Sequence, residues 1–176
     1  MRVPGLGCGL LLLLVACSAD DGGAQELFDR GSAQIEEVDY SGGVALMQRI
    51  LREYPESGFA ASVRRDWDYY ADLLVIEAER LPVLAADDLR RVGTAVERYR
   101  DRRGRYPRSL DALVPGAFER LPMDPWGRPY VYRRQGSGYV LETLGRDGVP
   151  GGAGEDRDIR VAHGVLHNAP GSAAGR

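Results

Sequence analysis

Hydrophobic positions along this chain follow three patterns in turn. Leu6 to Val15 is an apolar run containing Leu10 to Leu14, shorter than the ~20 residues a membrane-spanning helix needs. From about residue 25, apolar side chains recur every three or four positions, the spacing of amphipathic helices. The first predicted helix, about 25–37, places Leu27, Phe28, Gly31 and Ile35 on one side. A turn at Asp39-Tyr40-Ser41-Gly42-Gly43 leads to the second, about 43–54, with Val44, Met47, Ile50, Leu51 and Tyr54. Pro55 ends it, because proline has no place in a helix interior. Ser57 is positioned to cap a third helix, whose apolar stripe is Phe59, Val63, Trp67, Tyr70 and Leu74. Pro82 is expected to separate that helix from a fourth, about 84–103, carrying Ala85, Leu89, Val92, Val96 and Tyr99.

After the fourth helix the period changes to two. Gly104 is a natural helix stop with Pro107 behind it, and Ser109 stands where a short helix through Leu113 would begin. Tyr130-Val131-Tyr132 and Tyr139-Val140-Leu141-Glu142-Thr143 alternate like strands, with Gly136-Ser137-Gly138 as their hairpin turn. Ile159 and Val161 supply a third strand. The expected fold class is α+β: an N-terminal helical hairpin region over 25–81, then a domain over 84–162 with one helix packed on a small antiparallel sheet. Residues 163–176 read as a disordered tail.

Composition adds limits. The 176 residues carry a net charge of -3, and all 23 basic side chains are arginine. Nothing in that balance suggests a nucleic-acid partner. No Ser/His/Asp arrangement, nucleophilic cysteine or phosphate loop is legible, so no enzyme is expected. His163 and His167 have the spacing of a helical metal pair, but Gly164 lies between them and no acidic residue follows the first. They read as polar positions of the tail.

Arg2, the apolar run and Leu14-Val15-Ala16-Cys17 together resemble a bacterial lipoprotein signal peptide over residues 1–17. That resemblance implies acylation of Cys17, a tether over 18–24 and a place in the cell envelope facing the periplasm. A plain secretory signal with an incidental Cys17 is the alternative. Ser18 in place of Asp leans the anchor towards the outer membrane. Cys8 would be lost with the signal, which leaves no pair for a disulfide.

Two resemblances concern the folded part. Phe28-Asp29-Arg30-Gly31, Asp39-Tyr40 and Ile50-Leu51-Arg52-Glu53-Tyr54-Pro55-Glu56-Ser57 resemble a tetratricopeptide-like hairpin. That implies either a peptide-binding groove or a helical spacer with a small core of its own. Further on, Leu121-Pro122-Met123-Asp124-Pro125-Trp126-Gly127-Arg128-Pro129-Tyr130 and Leu144-Gly145-Arg146-Asp147 through Asp158-Ile159 resemble the C-terminal domain of the major pseudopilin of type II secretion systems. Arg103-Gly104-Arg105-Tyr106-Pro107 matches the end of that family's helix. Asp124, Pro125, Trp126 and Gly127 are read as a structural motif, in which proline fixes φ, glycine permits a positive φ and tryptophan anchors the loop.

Residues 144–158 hold Asp147, Glu155, Asp156 and Asp158 among Gly145, Gly148, Gly151, Gly152 and Gly154. Calcium takes carboxylate and backbone oxygens, and a glycine-rich chain folds tightly enough to aim carbonyls inward. The spacing is not that of an EF-hand, and residue chemistry alone favours a solvated turn with scattered charge. The pseudopilin resemblance implies a structural calcium ion held by Asp147, Asp156 and Asp158, with carbonyls from Leu144 and Val149. It also implies protein partners in the bacterial envelope, among type II secretion or pilus components. An authentic filament subunit is disfavoured, since no long apolar helix follows the lipobox. An envelope adaptor unrelated to secretion is the alternative, and a metal-dependent hydrolase a remote one.

Overall fold

The computed structural model describes residues 19–171; the apolar run, the lipobox with Cys17, and residues 172–176 lie outside them. The chain divides into two units, Met1–Ala71 and Asp72–Arg176.

In the first unit, α1 (Ala19–Glu36) and α2 (Tyr40–Glu53) form a hairpin, followed by α3 (Gly58–Arg65) and the first residues of α4 (Trp67–Arg103). The short connection is fixed by Asp39, whose side chain accepts a hydrogen bond from the Gly42 N–H at 3.0 Å and so caps α2. Two glycines set the separation of the helices. A Cβ on Gly31 would lie 3.0 Å from the Gly43 carbonyl, and one on Gly43 would lie 2.6 Å from the Gly31 carbonyl. Gly43, unfavourable in a helix by propensity, is therefore there because the backbones nearly touch. Around this crossing Ala24, Leu27, Val44, Met47 and Ile50 are buried. Phe28 and Phe59 add a ring pair at 5.4 Å. Ser57 caps α3 as expected, accepting from the Ala60 N–H at 3.0 Å and donating to the Tyr54 carbonyl at 2.9 Å.

Two expectations for this unit are corrected. The tether expected over 18–24 is helical from Ala19, because Ala24 is fully buried and the Tyr54 ring lies against Gly23. The third helix does not run on past Asp66. Asp66 caps the C-terminus of α3, its N–H donating to the Ser62 carbonyl at 3.0 Å, and α4 restarts at Trp67.

The second unit begins inside α4, and here the expected break at Pro82 is absent. Trp67–Arg103 is one helix of 37 residues with Pro82 inside it. A proline in a helix interior costs about 3 kcal/mol. Apolar burial on both sides of it, at Leu73 and at Ala85, Ala86 and Leu89, offsets that cost. The domain boundary accordingly falls at Ala71–Asp72 rather than in the 81–84 interval.

Four strands form an antiparallel sheet in the order β1 (Val131–Gln135), β2 (Gly138–Thr143), β3 (Ile159–Ala162), β4 (Val165–His167). The predicted hairpin is present, with Tyr132 opposite Leu141 and Arg134 opposite Tyr139. The predicted third strand pairs Leu141 with Val161. The fourth strand falls within the 163–176 segment expected to be a disordered tail. His163 (φ 51°) and Gly164 (φ 77°) form the two-residue turn that returns the chain along β3, and Ala169 then buries itself in the core.

Alternation along β2 and β3 sends Tyr139, Leu141, Ile159 and Val161 to one face. There they meet Ala85, Leu89, Val92 and Val96 of α4, the stripe expected from the sequence. Gly93 permits the closest approach: a Cβ there would sit 3.2 Å from the Tyr139 hydroxyl, which donates to the Gly93 carbonyl at 3.4 Å.

Candidate functional site

Asp124 is 5% exposed and organises the turn before β1. Its Oδ1 accepts from the backbone N–H groups of Trp126 at 3.1 Å and Arg128 at 2.8 Å. The Gly127 N–H donates to the Asp124 carbonyl at 2.9 Å, and Gly127 has φ 81°, a conformation glycine adopts without strain. Trp126 packs half-buried against the core of the second unit. The other carboxylate oxygen, Oδ2, accepts from the Thr143 hydroxyl at 2.6 Å. Thr143 ends β2 one residue before the acidic loop begins.

Arg128 makes the second link. Its Nη1 donates to the Gly145 carbonyl at 3.0 Å, and a Cβ on Gly148 would lie 3.0 Å from its Nε. Two motifs some twenty residues apart in sequence thus form one assembly: the aspartate-centred turn holds the start of the glycine loop by a hydroxyl and a guanidinium. The roles of Thr143 and Arg128 were not legible beforehand, because neither belongs to a local pattern that signals a long-range partner.

Within the loop, Gly145, Gly148, Gly151, Gly152 and Gly154 all have positive φ. A Cβ on Gly145 or Gly152 would collide with backbone atoms of Asp156. The Arg146 N–H donates to the Glu155 carbonyl at 2.9 Å and the Asp158 N–H to the Gly151 carbonyl at 3.1 Å. The carboxylates have separate surroundings. Asp147 is exposed and accepts from the Val149 N–H at 3.0 Å. Asp156 faces Arg146, with contacts of 3.0 and 3.3 Å from Nε and Nη2. Glu155 pairs with the same guanidinium at 3.3 Å. Hydrogen bonding to Asp156, then the charge of Glu155, raises the Arg146 pKa above its ordinary value. Asp158 accepts from the Gly151 N–H at 2.9 Å through Oδ2, while its Oδ1 is buried without a hydrogen-bond partner.

Among the described residues no three His, Cys, Asp or Glu side chains gather as a metal site. The donor set still fits a hard cation in one respect. A buried, unpartnered carboxylate oxygen is costly, and Asp158 Oδ1 is such an atom, in a loop where the Glu155 and Asp156 carbonyls pack against Gly145 and Gly152. Val149 is exposed, and Leu144 half-buried directly after the Asp124–Thr143 link.

A helix laid across a small antiparallel meander, closed by an aspartate-proline-tryptophan-glycine turn and an acidic glycine loop, defines a pseudopilin-like domain. The chain belongs to the family described as type II secretion system (T2SS), protein G, which matches residues 80–162. It is 33% identical over 95 residues to a type II secretion system core protein G of Pseudomonas aeruginosa, covering 43% of this chain and 67% of that one. Proteins of the same description from Xanthomonas campestris pv. campestris and Vibrio cholerae are each 33% identical, over 90 and 93 residues, with 63% and 64% of their length covered. The chain thus spans about two thirds of the length of these curated relatives.

Proposed function

We propose that this protein is a non-catalytic envelope lipoprotein that serves the type II secretion machinery as an accessory, binding its partners through protein surfaces rather than by chemistry on a substrate. The observation that carries the reading is family membership over 80–162, a segment that takes in most of α4 and strands β1 to β3 of the α+β unit. Cys17 would supply the membrane anchor by acylation, with the folded chain in the periplasm. Among the described residues no helix is long and apolar enough to cross a membrane, so attachment through Cys17 gives the protein a membrane address that those helices do not.

In this reading calcium stabilises the second unit. Asp158 would offer its unpartnered Oδ1, and Asp147 a carboxylate from the same loop. The carbonyls of Leu144 and Val149 would complete the oxygen set that calcium prefers. Asp156 would exchange its pairing with Arg146 for the cation. Arg128 and Asp124 would act indirectly, by holding Gly145 and Thr143 where the loop starts.

The first unit favours a second role, since it lies outside the matched segment. Its glycine-to-glycine crossing of α1 and α2, followed by Pro55 and a capped α3, supports a tetratricopeptide-like hairpin used as an adaptor. One experiment separates the roles: capture of the tagged, lipidated protein from gently solubilised membranes in calcium, with partners read by mass spectrometry. Enrichment of secretion components is expected. Enrichment of unrelated envelope proteins alone would mean that the pseudopilin-like domain has been reused and that the hairpin selects the partner.

A further inference from the structure

Many arginines of the second unit are neutralised where they stand. Arg90 pairs with Asp87, Arg91 with Asp88, Arg100 with Glu97 and Asp101, Arg133 with Glu142, and Arg146 with Glu155 and Asp156. Arg105, Arg108 and Arg134 differ. They are exposed, and among the described residues none of them has a hydrogen-bond or ion-pair partner. They come from separate elements: the loop after α4 supplies Arg105 and Arg108, and the end of β1 supplies Arg134. Yet all three line one hollow of about 480 Å³ with Tyr99, Tyr106 and Ser109.

The walls of this hollow are held in place. The Tyr106 hydroxyl lies 3.2 Å from both carboxylate oxygens of Glu97 and accepts from Arg100 at 3.0 Å. Its ring lies 5.1 Å from that of Tyr139 in the core. Ser109 donates to Asp111 at 3.0 Å, which leaves its hydroxyl oxygen able to accept or re-orient. Asp111 and Glu97 are the nearby carboxylates, and both are already engaged. Bringing three unpaired guanidinium groups together is electrostatically unfavourable in an empty hollow and favourable around an anion.

We propose that this hollow binds a phosphate group, a site distinct from the calcium loop. A single guanidinium fork satisfies a flat carboxylate. Three forks arriving from two elements instead suit an anion whose oxygens point in several directions, as those of a phosphate monoester or diester do. Two tyrosine side chains give the wall an apolar portion against which the organic part of such a ligand would rest. The phosphate is carried either by a free ion or by the headgroup of an anionic phospholipid.

The test uses the full chain, purified in detergent and labelled for NMR of arginine Nε–H groups. It is titrated separately with inorganic phosphate, glycerophosphoglycerol, short-chain phosphatidylglycerol below its micelle concentration, and acetate. Saturable shifts at Arg105, Arg108 and Arg134 with the phosphate compounds, and none with acetate, are expected. Equal affinity for all three phosphates would identify the free group as sufficient, whereas tighter binding of the short-chain lipid would identify the headgroup as the source. The triple variant R105Q/R108Q/R134Q should bind on the order of a hundredfold more weakly, from roughly fivefold per guanidinium. The charge-matched control R30Q/R120Q/R157Q should bind as the parent does. An absence of saturable shifts, equal binding of acetate, or equal weakening in both triple variants would overturn the assignment.

Discussion

At the residue scale, the side chain on which most depends is Asp124. It was expected to matter as part of a turn, and its neighbours Pro125 and Gly127 announced that turn. Its second oxygen, bonded to Thr143 across nineteen residues of sequence, could not be read, since no periodicity links a loop to the end of a strand. Asp124→Ala leaves two backbone N–H groups and the buried Thr143 hydroxyl without an acceptor, at about 3 kcal/mol of stability. Asp124→Asn keeps an acceptor for the N–H groups and can donate to Thr143, so its cost should be about 1 kcal/mol. Urea denaturation of both variants measures the difference, and equal losses would contradict this account of the carboxylate. Tyrosines make a second prediction. Burial, the dominant cause, pushes Tyr132 up to about 12 from 10.0 and raises Tyr130 and Tyr139 further. A raised phenol pKa means that the fold favours the neutral form. The stabilisation is therefore intact below pH 10 and is lost as pH rises from 10 through about 12. Phenolate absorbance after an alkaline jump should show Tyr130, Tyr132 and Tyr139 ionising only in the phase that accompanies unfolding, read by comparison with their Phe variants; their ionisation ahead of unfolding would contradict it.

At the element scale, the apolar stripes of the helices were legible because they follow the helical period, and the α4 stripe from Ala85 to Val96 sits against the sheet as expected. The errors came where packing outweighs a local signal. Pro82 reads as a break, yet α4 continues because burial on either side compensates for the missing hydrogen bond. Residues 163–171 read as a tail because β4 is only three residues long, Val165-Leu166-His167, too short to show an apolar–polar alternation. The signal that could have found it was the His163-Gly164 pair, a dipeptide suited to a two-residue hairpin turn. Gly43, read as the end of a turn, lies inside α2, where the Gly31 backbone leaves no room for a side chain. Restoring the side chain there should be costly: Gly43→Leu puts carbons where the α1 backbone lies, and overpacking of this kind costs about 3 kcal/mol. Circular dichroism melts should show the helical signal of the first unit lost at lower temperature. A variant as stable as the parent would mean that α1 and α2 are not in contact at these glycines.

At the scale of the whole molecule, family membership and the α+β unit agree, and both motifs that pointed to the family fall in one place. The sequence named the acidic loop, while the structure supplied what ties it down: Asp124 through Thr143, and Arg128 through Gly145. It also showed that Asp156 faces Arg146 while Asp158 retains a buried oxygen with no partner. The central claim is that this loop and turn act together as a calcium-stabilised unit. The most direct test is a thermal melt of the protein in calcium and in chelator, repeated with D158A and D124A. Calcium should raise the midpoint of the parent by several degrees, on the order of the 4–8 °C per kcal/mol typical of small domains. D158A should lose that rise, and D124A should melt lower in both conditions. A parent midpoint that is the same in calcium and in chelator would contradict the claim.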